Sequence, residues 1–310
     1  MGVTVTGCTV KNLNVTADAS AGIQLLRAFG GTVSACQVSG LVNNDGSIQG
    51  YSCMYSSDIT TSNCTSSDFQ SHFNGNTKTM GHTVLGFIPM LSIGLKFEGC
   101  TATNMTGCCD DCHGMSVFVV ALVEVSGYTA DTVTDGVTPT NTGAKATGLE
   151  VYGAKVLIKN CTVKHIKAIK PQDKQSAGFS AWGEGIEFTG CSASHVTVAA
   201  APGEDEKKTA DLGHGVGYGW APDPRPGFRD IGAYKVEYND CSADHCEVGF
   251  DTWFHVDSKW IGPSYTNCGT DILVQPGGKR TLSCNPCSEC DPPISVTITN
   301  IASGNTYPGS

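Results

Sequence analysis

A short phrase that ends in a large aromatic side chain recurs along the chain and carries residue types suited to binding sugars. Each copy starts with Gly and an apolar residue: GMSVF at 114–118, GLEVY at 148–152, GFSAW at 178–182, GFDTW at 249–253, and the variant GVGYGW at 215–220. Aromatic rings in a row provide flat stacking surfaces for a chain of sugar rings. Hydroxyl and carboxylate groups beside them would hydrogen-bond the sugar hydroxyls.

Alternation of side chains along a strand separates the two faces of this phrase. If the residue after Gly points inward, the outward positions form an aromatic and a polar column. The aromatic column consists of Phe118, Tyr152, Trp182 and Trp253, with Trp220 nearby. The polar column consists of Ser116, Glu150, Ser180 and Asp251. We predict that Glu150 and the five aromatic residues bind the substrate. A covering loop or a protein interface on this face is the alternative.

Acid–base candidates flank the same face. His214, like His113, immediately precedes a repeat Gly, and roughly 14 Å of rise would separate the two. Asp251 and His255 lie on or just beyond the last aromatic copy, and Arg229 belongs to a proline-containing segment that would fold over the groove. We predict that His214, Asp251, His255 and Arg229 are the proton-transfer and charge-neutralising groups of an enzyme.

A second phrase alternates apolar and polar residues and then places Gly, Asn or Asp before Cys, as in VLIKNCTVKH at 156–165. Its cysteines are Cys8, Cys36, Cys64, Cys100, Cys161, Cys191, Cys241 and Cys268, and Tyr128 fills the remaining slot. The alternation slips by one residue before each Cys, which indicates a bend. We expect a left-handed backbone there, because Gly, Asn and Asp tolerate it. The predicted corner residues are Gly7, Ala35, Asn63, Gly99, Gly127, Asn160, Gly190, Asp240 and Asn267.

Two short strands joined by such a corner and repeated about every 28 residues resemble one coil of a right-handed parallel β-helix. On these phrases the whole chain is similar to the pectin-lyase-like superfamily. The resemblance implies an all-β fold of about nine to ten coils with an internal Cys ladder. We predict one domain over 1–310, with an inserted loop at 197–230 and a Cys-rich C-terminal cap or half-coil at 284–310. No capping helix precedes the first strand, which suggests homo-oligomers or stacking through that end.

The ladder cysteines are predicted to be buried thiols, which pack as small apolar side chains. The other cysteines are predicted to form disulfides in loops, and they are Cys53, Cys108, Cys109, Cys112, Cys246, Cys284, Cys287 and Cys290. Zinc binding by the last three is the alternative. Four Asn-x-Ser/Thr sites, at Asn14, Asn63, Asn104 and Asn160, also favour a secreted glycoprotein, extracellular or at a cell surface.

The net charge of −10 argues against nucleic acid as a partner, and the chain has no apolar run long enough to span a membrane. An acidic surface suits a neutral ligand or a cation, so Ca²⁺ is the one cofactor that we consider. The sequence therefore predicts a glycan-binding β-helix, with a polysaccharide lyase or a glycoside hydrolase as the favoured enzyme class. The alternative is a non-catalytic structural, adhesive or filament-forming segment of a cell surface or virion.

Overall fold

The chain folds into a parallel β-solenoid in a computed structural model. The structure describes residues 2–72, 82–108, 111–136, 145–169, 176–199, 213–216, 233–251, 255–273 and 296–299. These residues contain strands and turns and no helix. No helix that could cross a membrane is found among them.

The strands are short at both ends of the chain and longest near its middle. In chain order they are β1 (Val3–Thr6), β2 (Thr9–Lys11), β3 (Asn14–Val15), β4 (Ala19–Leu26), β5 (Phe29–Ser34), β6 (Gln37–Ser39), β7 (Val42–Asn43), β8 (Ser47–Met54), β9 (Ser57–Ser62), β10 (Thr65–Ser71), β11 (Val84–Met90), β12 (Lys96–Glu98), β13 (Thr101–Thr106), β14 (Cys112–Ser126) and β15 (Thr129–Asp135). They continue as β16 (Ala146–Lys159), β17 (Thr162–Ile169), β18 (Ser176–Glu184), β19 (Glu187–Thr189), β20 (Ser192–Ala199), β21 (Gly213–Val216), β22 (Ala233–Tyr234), β23 (Glu237–Asn239), β24 (Ser242–Asp244), β25 (Val248–Asp251), β26 (His255–Val256), β27 (Ser258–Ile261), β28 (Ser264–Thr266), β29 (Thr270–Leu273) and β30 (Val296–Thr299).

All strand pairs are parallel and join one coil to the next in two sheets, one of 19 strands and one of 11. Apolar residues alternate with polar ones, and each coil buries its apolar face against the equivalent residues of its neighbours. Between the corners at Gly7 and Gly190 the chain makes about six turns. This count differs from the about nine to ten coils expected from the repeats, although later strands continue the same pairing.

The backbone is left-handed at each residue predicted to form the bend before Cys. Asn63, Asn160 and Gly190 have φ of 52°, 51° and 61°, and Ala35 has φ of 51° although it is not a residue type that favours this region. A second set of positive-φ residues lies in the middle of the smaller sheet, and its members include Asn12, Asp68, Asn104, His165, His195, His245 and Asn267.

The sequence spacing assigned Asn267 and Cys268 to the same series as Asp240 and Cys241, and the structure shows that this assignment is wrong. Asp240 donates its amide to Ile261, and the amide of Ser264 binds the carbonyl of Cys241, so the next corner after Asp240 is Gly262. Asn267 instead follows Thr266, which pairs with Asp244. Asn267 therefore belongs to the second positive-φ set, and Cys268 lies one position beyond it rather than in the main Cys series.

Buried thiols line the interior. Cys64 donates to the carbonyls of Ser62 and Val33 at 3.4 and 3.7 Å, and Cys161 and Cys191 make equivalent contacts. The structure shows no disulfide among the twelve described cysteines, so the predicted disulfides of Cys53, Cys108, Cys112 and Cys246 are not supported. Cys112 opens β14 instead of lying in a loop, and burial raises its pKa well above the ordinary value. Cys109, Cys284, Cys287 and Cys290 lie outside the described residues.

Most of the predicted insertion and C-terminal cap also lies outside the described residues. Within 197–230, residues 197–199 end β20 and residues 213–216 form β21. Within 284–310, only β30 is described, and it pairs with β27 in parallel, with Ser258 opposite Val296. Both described pieces therefore extend the main sheets.

Candidate functional site

Three aromatic side chains form a column along the outside of the larger sheet. Phe118, Tyr152 and Trp182 occupy equivalent positions on β14, β16 and β18. The ring centroids are 5.2 Å apart in the first pair and 5.5 Å in the second, with interplanar angles of 48° and 77°. This spacing follows from strands about 4.8 Å apart. Phe118 is 37% exposed, and the other two rings are half-buried.

The column continues toward the N-terminus with apolar residues that the sequence analysis did not include. Met90 pairs with Phe118, Met54 pairs with Met90, and Leu26 pairs with Met54. The signal was present in the sequence, since GYSCM at 50–54 and GFIPM at 86–90 follow the Gly–apolar pattern. These copies end in Met rather than in an aromatic residue, so a search for aromatic endings missed them.

A polar column runs beside the rings. Ser116, Glu150 and Ser180 are in register on the three strands. Ser116 donates its hydroxyl to Glu150 Oε2 at 3.2 Å. The Ser180 hydroxyl is buried and has no hydrogen-bond partner among the described residues. An unpartnered buried hydroxyl costs free energy unless another group satisfies it, so this column has unused hydrogen-bonding capacity.

A cluster of charged side chains surrounds Glu150. Lys145 Nζ lies 2.5 Å from Glu150 Oε1, and His113 Nδ1 lies 3.6 Å from Glu150 Oε2. The other nitrogen of His113, Nε2, lies 3.8 Å from Asp111 Oδ1. Lys145 and His113 are buried, and Glu150 is partly accessible. Burial by itself raises the pKa of Glu150, but the charges of Lys145 and His113 outweigh that effect and hold the pKa below its ordinary value.

A second carboxyl group touches the same lysine and has the opposite protonation preference. The backbone amide of Lys145 donates to Asp135 Oδ2 at 2.8 Å. Asp135 is fully buried, and burial raises its pKa to about 8, although the hydrogen bond from Lys145 acts against this. Near neutral pH, Glu150 is therefore ionised and Asp135 is mostly protonated. Pairs of carboxyl groups with separated pKa values are typical of acid–base sites.

Three of the four predicted catalytic residues lie on strands that follow this cluster, with His214 on β21, Asp251 on β25 and His255 on β26. His214 lies in the column of His113, because His113 pairs with Thr147, Thr147 with Ala177 and Ala177 with His214. Only the backbone of His214 is described, and Arg229, Trp220 and Trp253 lie outside the described residues.

Asp251 and His255 are both fully buried. His255 Nε2 lies 2.9 Å from the Tyr238 hydroxyl, and its ring centroid lies 4.9 Å from that of Trp260. The expected position of His255 beside the outer aromatic column is therefore wrong, because its side chain packs among core aromatics. Of the predicted site, the structure brings together Phe118, Tyr152, Trp182 and Glu150, and it adds His113 and Lys145.

Comparison with known proteins identifies the fold. No protein-family model and no curated protein matches the chain. Among solved structures, a rhamnogalacturonan lyase superposes with a TM-score of 0.57 at 13% identity over 99% of this chain and 74% of that chain. The A-module of a mannuronan C-5 epimerase from Azotobacter vinelandii gives a TM-score of 0.27 at 11% identity over 99% and 91%. A GH87 α-1,3-glucanase catalytic domain gives 0.28 at 10% over 99% and 65%.

At these identities the likeness concerns the fold. The chain is a parallel β-solenoid, as its repeated phrases predict, and it shares this fold with the rhamnogalacturonan lyase. Within the described residues, no three metal-ligating side chains converge on one point.

Proposed function

We propose that this β-helix binds a polysaccharide along the column of Phe118, Tyr152 and Trp182 and cleaves it at the neighbouring polar column. The observation that carries the proposal is the register of β14, β16 and β18. This register sets aromatic rings at 5.2 and 5.5 Å spacing beside Ser116, Glu150 and Ser180. Binding over several coils suits an elongated ligand, because a solenoid presents the same surface repeatedly.

The groups around Glu150 support acid–base chemistry. Glu150 is an ionised, partly accessible carboxylate and is the proposed proton acceptor. His113 stands between the carboxylates of Glu150 and Asp111, at 3.6 and 3.8 Å, so its imidazole contributes to the charge balance around Glu150. Lys145 supplies the positive charge that keeps Glu150 ionised. A lyase and a glycoside hydrolase both need a positioned acid and base, so we propose a carbohydrate-active enzyme of one of these two classes.

The catalytic roles of His214, Asp251, His255 and Arg229 stay predictions from the sequence. His214 and Asp251 are the first of these to test, because their strands β21 and β25 pair directly and continue the sheet that carries the aromatic column. His255 is a weaker candidate, since its imidazole is held in the core by Tyr238. Replacement of His255 is expected to lower the stability of the fold more than it lowers the rate of turnover.

A panel of polysaccharides tests the proposal. A lyase product absorbs in the ultraviolet because it contains an unsaturated sugar, whereas a hydrolase product shows only new reducing ends. Glu150→Gln is expected to lower kcat by at least about 10²-fold, the range for removal of a general base. Phe29→Ala, which removes an exposed ring outside the aromatic column, is the matched control. Full activity of Glu150→Gln would contradict the proposed site.

An extracellular or cell-surface location belongs to the same proposal, because long polysaccharides occur mainly outside cells. Three of the four potential glycosylation sites, Asn63, Asn104 and Asn160, have a left-handed backbone, and Asn104 also donates its side-chain amide to Asp68 at 3.0 Å. A glycan at Asn104 would replace that hydrogen bond. We therefore propose Asn14, on the short strand β3, as the most accessible of the four sites for modification.

A structural or adhesive role is the second candidate, and one observation favours it. Exposed large apolar side chains lie in the outer column or a few residues after it in the sequence of successive coils, and they include Leu26, Phe29, Tyr55, Leu91, Ile93 and Leu122. Large exposed apolar patches mark interaction surfaces. Sedimentation velocity tests this role, which predicts self-association that Leu122→Gln reduces. A monomer at all concentrations, together with turnover of a polysaccharide, would favour the enzyme.

A further inference from the structure

Three histidines form a ladder on the smaller sheet, away from the aromatic column of the larger sheet. Lys164 pairs with Ser194, and Ser194 pairs with Asp244, so the residues that follow them, His165, His195 and His245, are neighbours on successive coils. Their ring centroids are 4.9 Å apart in each step. The second pair is stacked with an interplanar angle of 3°.

The backbone places the three histidines at equivalent corners of successive coils. They have φ of 51°, 54° and 52°, in the left-handed region. Other coils use Asn, Asp, Gly or Thr at this corner, such as Asn104, Gly40 and Thr132. His is among the residues other than Gly that adopt this region most often, so the corner accepts it on successive coils. The shared corner therefore repeats the imidazole at one position of three neighbouring coils.

Carboxylates contact Nδ1 of the two outer histidines. His165 Nδ1 lies 2.8 Å from Asp131 Oδ1, and His245 Nδ1 lies 2.8 Å from Asp244 Oδ2. The Thr266 hydroxyl and the Asn267 side-chain amide also donate to Asp244 Oδ1 at 2.6 and 3.1 Å, so this carboxyl group is held beside His245. In the neutral tautomer that carries its proton on Nδ1, Nε2 has a free lone pair. Histidines that bind metals typically donate their second ring nitrogen to a carboxylate in this way.

We propose that the histidine ladder binds a divalent late transition-metal ion, such as Zn²⁺, Ni²⁺ or Cu²⁺, through Nε2 of two adjacent imidazoles. Imidazole is a preferred ligand of these ions. His195 takes part in either pair, with His165 or with His245. As placed, no three ligating groups of the described chain converge, so the ion keeps water at its remaining positions.

The rings must rotate to bind, because the rings of His195 and His245 are stacked and parallel, whereas an ion has to lie in the plane of each imidazole that binds it. Two nitrogens at 2.0–2.1 Å from a tetrahedral ion lie about 3.3 Å apart, whereas the ring centroids are 4.9 Å apart. The side chains of His165 and His245 are 54% and 51% exposed, so rotation about their side-chain bonds is unobstructed by core packing. The net charge of −10 and the neighbouring Asp131 and Asp244 also favour a cation at this surface.

Titration of the full chain with NiCl₂ and with ZnCl₂, followed by calorimetry, tests the proposal. The key variant is His195→Asn, because Asn already occupies this left-handed corner at Asn104 and Asn267. The affinity of His195→Asn for the metal ion is expected to be lower by about tenfold or more, the range seen when one group that supports a metal site is removed. His72→Asn, which removes an exposed histidine outside the ladder, is the control and is expected to bind like the wild type.

Imidazole proton shifts in NMR spectra provide a readout besides affinity. Substoichiometric Ni²⁺ is expected to broaden the signals of the three ladder histidines and to spare His72. If His195→Asn fails to fold, the double variant His165→Asn/His245→Asn is tested instead, because it also removes both pairs. Unchanged affinity in these variants, or no binding by the wild type, would overturn the proposal. If the metal binds every variant with full affinity, it occupies another site. That result would overturn the proposal as well.

Discussion

Lys145 and Glu150 form a salt bridge beside the outer aromatic column, with Nζ 2.5 Å from Oε1. The two residues are five apart in sequence, and Glu150 lies directly next to Ser116 of the previous coil. Lys145 also binds Asp135 through its backbone amide. One residue therefore links an ionised carboxylate on the outer face to a protonated carboxyl group in the interior.

The first prediction concerns the stability of that pair. Lys145→Met leaves Glu150 without its main positive partner, so the free energy of unfolding is expected to fall by about 3–5 kcal/mol. Chemical denaturation measures the change. Lys159→Met is the matched control, because Lys159 pairs with Glu124 at 3.5 Å on the exposed surface and is expected to cost about 0–1 kcal/mol. Equal losses in the two variants would show that the Lys145 pair is not buried in solution.

The second prediction concerns glycan affinity. Trp182→Ala removes the ring at the end of the column, and Tyr152 loses its edge contact at 5.5 Å. Affinity for a bound polysaccharide is expected to fall about tenfold, or about 1.4 kcal/mol. Affinity electrophoresis in a gel that contains the polysaccharide measures this effect. Phe29→Ala serves as the control. An equal loss of affinity in that variant would indicate non-specific binding to exposed apolar side chains instead of stacking on the column.

The third prediction concerns pH. The pKa of Asp135 is raised to about 8 in the folded chain, whereas an unfolded Asp has a pKa of about 3.9. The unfolded state therefore releases the proton first, and Asp135 destabilises the fold progressively as the pH rises from about 4 to 8. Asp135→Asn is expected to remove this slope and to be more stable than the wild type at pH 8, by an amount on the order of several kcal/mol.

Thermal unfolding between pH 4.5 and 8.5 measures the slope. Asp58→Asn is the control, since Asp58 is exposed and its left-handed backbone tolerates Asn. The wild-type slope should persist in Asp58→Asn. If Asp135→Asn keeps the full wild-type slope, Asp135 is not the group responsible.

The fourth prediction concerns the corner at Ala35. Its φ of 51° is costly for Ala, and the amide of Ala35 is bonded to Ser62. Ala35→Gly is expected to stabilise the chain by about 0.5–1 kcal/mol, since relief of the backbone strain exceeds the added entropy of the unfolded chain. Ala17→Gly, at an exposed position with ordinary φ, is expected to be neutral or destabilising. Denaturant midpoints compare the two, and a loss of stability in Ala35→Gly would contradict the prediction.

Much of the fold follows from short-range patterns in the sequence. Apolar alternation and left-handed residue types before Cys are local properties, and they indicated the coil and its corner without any contact information. The column of Phe118, Tyr152 and Trp182 followed from the same regular spacing. Spacing failed for Asn267 and Cys268, because the coil after Asp240 is short and both corners of the coil accept Asn.

The repeated unit, with its strand faces, its bend and its outward aromatic residue, can be read from local sequence patterns. Which polar groups meet depends on how the coils stack. His113 contacts Glu150 only because their coils stack, and their distance along the chain contains no sign of it. The inward direction of His255 also depends on packing against Tyr238. Local backbone preferences act within a few residues, whereas charge pairing and burial depend on the register between coils.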